Sequence, residues 1–309
     1  MQTRRNFLRN MALAAPVLSL STACKTAAQH ASKTKFEISL AEWSLHKALF
    51  AKKMTNLDFP VMAKKDFGIS IVEYVNQFFA DKAKDTTYLR ELLMRCQDNG
   101  VSNHLIMIDG EGTMGDPDEA KRKQAVENHY KWVEAARFLG CKTIRVNAGG
   151  EGSKEEVAKR CTESLRQLCE FSKPLNINII VENHGGNSSN GAWLSGVIKA
   201  VGMNNCGTLP DFGNFCIRRK DGPWTGPCVE EYDRYQGTAE LMPYAKGVSA
   251  KAFEFDAAGN ETTIDFARMF DIIRASGFNG IIGIEFEGEK LDEAEGIRKT
   301  LALLQRLNG

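Results

Sequence analysis

The chain has 309 residues, 43% of them hydrophobic and 26% charged, which excludes a collagen, a coiled coil or a polytopic membrane protein. Lys and Arg number 40 against 39 Asp and Glu, a formal charge of +1, so no broad electropositive face for nucleic acid is expected. The length admits two domains of about 100–200 residues or one α/β barrel of about 250.

The first residues read as an address. Thr3-Arg4-Arg5-Asn6-Phe7-Leu8-Arg9 resembles a twin-arginine export signal, and a small, apolar run from Met11 to Leu20 follows it. That run is too short for a stable spanning helix, and no transmembrane segment is expected elsewhere. The expectation is an exported, periplasmic protein. Leu20-Ser21-Thr22-Ala23-Cys24 resembles a loose lipoprotein box. Either Cys24 carries a lipid anchor or cleavage follows Ala23. Both events remove Arg4, Arg5 and Arg9 and leave a slightly acidic protein. Residues 1–32 are thus assigned to signal and linker, and 33–309 to the fold. Seven cysteines remain after Cys24, with no C-x-x-C pair among them. Cys216 and Cys228 flank a Gly/Pro loop and are the one plausible disulfide; the others read as buried thiols.

Strands and helices then alternate. A strand is predicted over 36–40, a helix over 59–67 closed by Gly68, and a strand over 69–75. A helix carrying Leu89, Leu92, Leu93 and Cys96 stops at Asn99-Gly100, and 105–109 is the third strand. Asp116-Pro117-Asp118-Glu119 is expected to open a long helix, with the proline in its first turn and acids complementing its dipole. The fourth strand is 143–147, and Ser153 with Glu156 forms a capping box for a helix running to Phe171. The fifth strand is 177–182, followed by a helix over 192–201 and a sixth strand over 207–211. Residues 212–229 read as one long irregular stretch, the kind of loop that is usually functional, and 230–244 as a broken helix. The seventh strand (247–253), a helix (264–275), the eighth strand (281–286) and a helix (292–307) complete the chain. Eight strand–helix units in series define a (β/α)8 barrel. No Gly-rich phosphate turn follows the first strand, as a doubly wound sheet would usually have.

Barrel active sites use side chains at the C-terminal ends of strands. The polar residues there are Glu73, Asp109, Arg145 with Asn147, Glu182-Asn183-His184, Asp211 with Asn214, Ser249 with Lys251, and Glu285 with Glu287. Strand parity puts Glu182 with His184 on one face and Arg145 with Asn147 on one face, opposite Ile144 and Val146. Glu285 lies opposite Ile282, Ile284 and Phe286 by the same rule. Three carboxylates from strands five, six and eight converging inside a packed barrel repel each other, and a divalent cation resolves that repulsion. An oxygen-rich set suits Mn²⁺ or Mg²⁺, and one imidazole would admit Zn²⁺ or Co²⁺. Buried ion pairs with Arg145 and Lys251 are the alternative.

Leu40-Ala41-Glu42-Trp43-Ser44-Leu45-His46, Val181-Glu182-Asn183-His184-Gly185-Gly186, Leu209-Pro210-Asp211-Phe212-Gly213-Asn214 and Gly283-Ile284-Glu285-Phe286-Glu287-Gly288 resemble the xylose isomerase-like barrel superfamily, in particular its exported sugar phosphate isomerase/epimerase members. The resemblance implies Glu182, Asp211 and Glu285 as ligands of one divalent metal, with the two glutamates as the acid/base pair. It also implies a histidine on strand seven, where this chain has Ser249 or Lys251, and often a histidine where it has Asn214. His184 is a candidate replacement ligand, as is water.

The expected activity is isomerisation or epimerisation of a sugar or keto-sugar by proton abstraction next to a carbonyl, through an ene-diolate. The alternative is a lyase or dehydratase acting on a keto-sugar or glycoside in the same site. Lys251 is a candidate proton donor or oxyanion holder. Arg145, Asn147, Glu73, Asp109, His46, Trp43, Asn214 and Ser249 are candidates for substrate binding, and Phe78, Phe79 and Trp224 for stacking. Arg145, Arg218 and Arg219 suit a phosphate or carboxylate, although export favours a neutral sugar, keto-sugar or glycoside. A multi-metal phosphodiesterase would need more histidines than this chain has, and a non-catalytic sugar-binding barrel would not need converging acids. An oligomer is left open.

Overall fold

The computed structural model describes residues 35–223 and 225–309. The expected export signal, Cys24 and Trp224 lie outside the described residues. The unit spanning Lys33–Gly309 is built on ten strands. Eight form the barrel: β1 (Glu37–Ala41), β2 (Ile71–Val75), β3 (Ser102–Met107), β4 (Thr143–Val146), β5 (Asn178–Glu182), β6 (Cys206–Leu209), β9 (Val248–Ala252) and β10 (Ile281–Phe286). Two more, β7 (Cys216–Arg219) and β8 (Cys228–Glu231), pair with each other. The helices are α1 (His46–Phe50), α2 (Phe59–Phe67), α3 (Thr86–Asp98), α4 (Glu119–Leu139), α5 (Lys154–Ser172), α6 (Gly191–Val201), α7 (Arg234–Leu241), α8 (Phe266–Ala275) and α9 (Glu293–Asn308). Among the described residues, no helix is long and apolar enough to cross a membrane.

The barrel strands are all parallel, in the order β6-β5-β4-β3-β2-β1-β10-β9. The cylinder is nearly closed. Between β6 and β9 only the isolated bridges Thr208↔Ala245 and Asp211↔Ser249 join the edges. Pro210 lies at this seam and has no N–H to give, but its carbonyl accepts from Ser249 N at 2.9 Å.

Side-chain alternation produces two apolar layers. Ile144, Val146, Val181, Ile282, Ile284 and Phe286 pack outward against the helices. Ala41, Val75, Leu105, Met107, Ile180 and Leu209 fill the barrel, with Trp43 and Phe78 against them. Arg145, Glu182 and Glu285 alternate with the outward set and are therefore delivered to the barrel interior.

Local chemistry sets the helix ends. The Ser153/Glu156 capping box is formed. Asp118 caps α4 by accepting from Ala120 N and Lys121 N, so Pro117 lies one residue before the cap and not in the first turn. The strand predicted from 69 begins at Ile71, because Ile69 N is bonded to Ala63 O at the end of α2. The stretch 212–229 is not irregular throughout: β7 and β8 make a hairpin crossed by a Cys216–Cys228 disulfide. The broken helix expected over 230–244 starts as β8, followed by α7 and a short turn of 3-10 helix at Met242–Tyr244. Cys96, Cys141, Cys161, Cys169 and Cys206 are buried free thiols.

Candidate metal centre and active site

At the C-terminal ends of the strands the interior turns from apolar to charged. Asp211 is aimed by backbone chemistry. Asn183, at the end of β5, accepts from Asp211 N at 2.7 Å and donates to Asp211 O at 2.9 Å and Asn214 O at 3.1 Å. Asp211 Oδ1 then accepts from Gly213 N and Asn214 N, both at 2.8 Å. This leaves Oδ2 turned to Ser249 Oγ, 2.7 Å away. Ser249 Oγ also lies 3.0 Å from Glu285 Oε2. One hydroxyl hydrogen serves only one of these oxygens, so without a cation the second contact needs a proton on a carboxyl.

Glu285 Oε1 pairs with Lys251 Nζ at 2.9 Å, and the same ammonium reaches Glu287 Oε2 at 3.2 Å. Trp43 Nε1 donates to Glu287 Oε1 and fixes that carboxylate. Glu182 Oε1 accepts from Asn214 Nδ2 at 3.0 Å. Its Oε2 lies 2.8 Å from Arg145 Nε, but the N–H is not directed at it. The contact is an ion pair without a hydrogen bond, and both atoms keep unspent bonding capacity. Arg145 Nη1 is 2.7 Å from Asp109 Oδ1, which also accepts from Asn147 Nδ2 at 2.6 Å. His184 Nδ1 faces Asn147 Oδ1 at 3.0 Å.

Burial dominates the electrostatics. It pushes Glu182 well above the usual carboxylate range, with Glu285 and Asp211 adding repulsion against the pull of Arg145. It pushes Asp211 up to about 6 and Glu73 up to about 7. Burial also drives His184 down to about 3, helped by Arg145 and Lys251, so its ring is neutral at pH 7. Burial works against the charge of Lys251 too, yet Glu285 and Glu287 keep its pKa well raised. In Asp109, burial is outweighed by Arg145, which holds the carboxyl low.

Glu182, Asp211 and Glu285 each offer one oxygen within 4.8 Å of the others, and all three are buried. Among the described residues, Asp109, Glu182, Asp211, Glu285 and Glu287 share only Arg145 and Lys251 as ion-pairing cations. A divalent cation fits this set: the donors are all oxygen, they are short of positive charge, and Glu182 Oε2 lacks a hydrogen bond. His184 is outside the group.

A cavity of about 570 Å³ opens over the cluster, lined by Trp43, Gln77, Asp109, Arg145, Asn147, His184, Asn214, Lys251, Glu285 and Glu287 among others. Glu73 and Ser249 are buried and do not line it. His46 stacks on Trp43 with centroids 5.0 Å apart and is likewise not part of the wall. Phe78 tilts against Trp43, and Phe79 is buried against Trp132. Sequence reasoning passed over two residues. Gln77 is on the cavity wall. Glu42, fully buried, accepts from Val75 N and Asn56 Nδ2, both at 2.9 Å, and is pushed up to about 8 by burial. A glutamate just after a strand carries no sequence signal of burial.

The fold and the strand-end acids define a (β/α)8 barrel whose polar residues gather at the mouth, where barrel enzymes do their chemistry. Residues 62–307 match the xylose isomerase-like TIM barrel family, and the chain belongs to it. Among solved structures it is similar to an L-ribulose 3-epimerase at 16% identity and a TM-score of 0.67, covering 88% of this chain and 94% of that one. The 3-keto-D-glucoside 4-epimerase YcjR of E. coli, in its apo form, has 18% identity, a TM-score of 0.62, and coverage of 89% and 100%. The IOLI protein with a binding zinc atom has 14% identity, a TM-score of 0.64, and coverage of 88% and 98%. At these identities the likeness is one of fold. No curated protein matches the chain.

Proposed function

We propose that the chain is a divalent-metal-dependent isomerase or epimerase of a sugar or keto-sugar, acting by proton abstraction beside a carbonyl. The observation that carries this reading is the trio Glu182, Asp211 and Glu285, buried together within 4.8 Å at the barrel mouth. Family membership and the epimerases of like fold support it.

Glu182, Asp211 and Glu285 would hold the cation, whose chemistry is to polarise a carbonyl and offset charge developing on its oxygen. Glu285, which opens onto the cavity, accepts the proton from the carbon beside the carbonyl. Glu182, the other glutamate of the trio, is the proton donor of this reading. Lys251, on the cavity wall, is paired with Glu285 and Glu287 and has one further N–H to give to an oxyanion. Trp43, fixed through Glu287, and the neutral His184 ring shape the wall against a sugar.

Export is part of the same proposal. The twin-arginine pattern supports it, and so does the Cys216–Cys228 disulfide, a bond that persists in oxidising compartments.

Incubation of the metal-loaded protein with a panel of ketoses in D₂O tests the chemistry. One deuterium per turnover on the carbon beside the carbonyl is expected. Loss of water or of an aglycone assigns the elimination alternative instead, and no exchange with any ketose overturns both.

A further inference from the structure

The hairpin of β7 and β8 stands over the cavity and is not needed to close the barrel. Its base is anchored: Phe215 is fully buried, and Tyr232 N donates to Phe215 O at 2.9 Å. The Cys216–Cys228 disulfide crosses it, and Cys228 is the direct register partner of Arg219. Arg218, the neighbour, is exposed and faces Glu230 at 3.4 Å. Arg219 instead contributes to the cavity wall.

The cavity wall holds three strongly basic residues. The charge of Arg145 is matched by Asp109 and Glu182, and that of Lys251 by Glu285 and Glu287. Among the described residues Arg219 has no carboxylate partner. Its one hydrogen bond there runs from Nη1 to the carbonyl of Gly226 at 3.2 Å, across the turn of its own hairpin. That bond orients the guanidinium and leaves most of its five N–H donors unspent. A planar, oriented and uncompensated guanidinium on the wall of a carbohydrate-sized cavity matches a carboxylate or phosphate. The carboxylates at the cluster repel an anion from that end, so an anionic substrate enters with its charge at the hairpin.

We propose that Arg219, pinned by the Cys216–Cys228 staple, is the subsite for an oxyanion carried by the sugar at a position remote from the reacting carbon. This rests on the carbohydrate reading above and changes the substrate class from the neutral sugar that export favours to a sugar acid or sugar phosphate.

Calorimetric titration of the full chain with D-glucuronate, D-glucose 6-phosphate and D-glucose at low salt tests it. At least one anionic probe is expected to bind about tenfold or more tighter than glucose. In Arg219→Gln that excess disappears, while glucose affinity and melting temperature are unchanged; Arg219→Lys keeps part of it. The probe that shows the excess names the source, carboxylate or phosphate. In Cys216→Ser the anion excess falls with glucose affinity unchanged, and an undiminished excess there removes the staple from the proposal. Equal affinities for charged and neutral probes, an excess that survives Arg219→Gln, or no binding of either anion overturns the subsite. The readout is affinity alone, so it stands or falls independently of the deuterium experiment.

Discussion

Lys251 Nζ lies 2.9 Å from Glu285 Oε1, with side-chain exposures of 3% and 6%. Lys251→Met keeps most of the stem and deletes the charge, leaving the buried Glu285 and the partly exposed Glu287 without it. Breaking such a pair costs about 3–5 kcal/mol. Denaturant unfolding in EDTA should show a loss on that scale, and added Mn²⁺ should recover more in the variant than it adds to the wild type. Unchanged stability in EDTA would mean that the pair carries no net energy.

The carboxylate trio is tested by metal content. Glu182→Gln, Asp211→Asn and Glu285→Gln keep shape and each remove one anionic ligand, so each should weaken Mn²⁺ binding by roughly tenfold or more. Ser249→Ala removes no anionic ligand and should weaken it less. Elemental analysis of dialysed protein settles this; equal metal content in the wild type and the three carboxylate variants removes the site.

His104, on β3, is 7% exposed and its Nε2 has no hydrogen-bond partner. Burial pushes its pKa down from 6.5 to about 4. The unfolded chain therefore takes up a proton near pH 6.5 that the native state refuses until about pH 4. The stability this group contributes is complete above pH 6.5 and declines as the pH falls through that window, by roughly 3 kcal/mol at its end. Asp211 and Glu73, both raised, act with the opposite sign. The measurement is therefore the difference in unfolding free energy between the wild type and His104→Gln at pH 7 and pH 4.5, which should shrink by a few kcal/mol or change sign.

Arg218, Arg219 and Lys220 place trypsin sites on the stapled hairpin. Reduction with dithiothreitol removes a loop closed by residues 12 apart. Because the hairpin pairs only with itself, local opening should become easier while global melting moves little. Limited proteolysis should shift from slow to rapid cleavage in this segment on reduction. Equal cleavage rates before and after would show that strand pairing alone holds it.

Where burial follows period, the sequence was legible. Barrel strands such as 281–286 announce themselves because an outward apolar face alternates with an inward set, and the same alternation put Glu182, Arg145 and Glu285 inside. The hairpin escaped because Cys216–Arg219 and Cys228–Glu231 are half-exposed or exposed and owe their pairing to each other and to one disulfide. Pro117 misled by a single position, since Asp118 is the better cap. Glu42 escaped because its burial is decided by Asn56 and Val75, which the chain brings from outside the motif.

The gap in the hydrogen-bond ladder at Pro210 has a mechanical consequence. β6 and β9 are stitched by a few backbone bonds, and Asp211 and Ser249 sit astride the stitching. Asp211 belongs to one lip of this slit, while Glu285, on the strand beside β9, belongs to the other. Whatever grips both carboxylates works as a rivet across the weakest line of the wall, so loading the site and tightening the cylinder are one event.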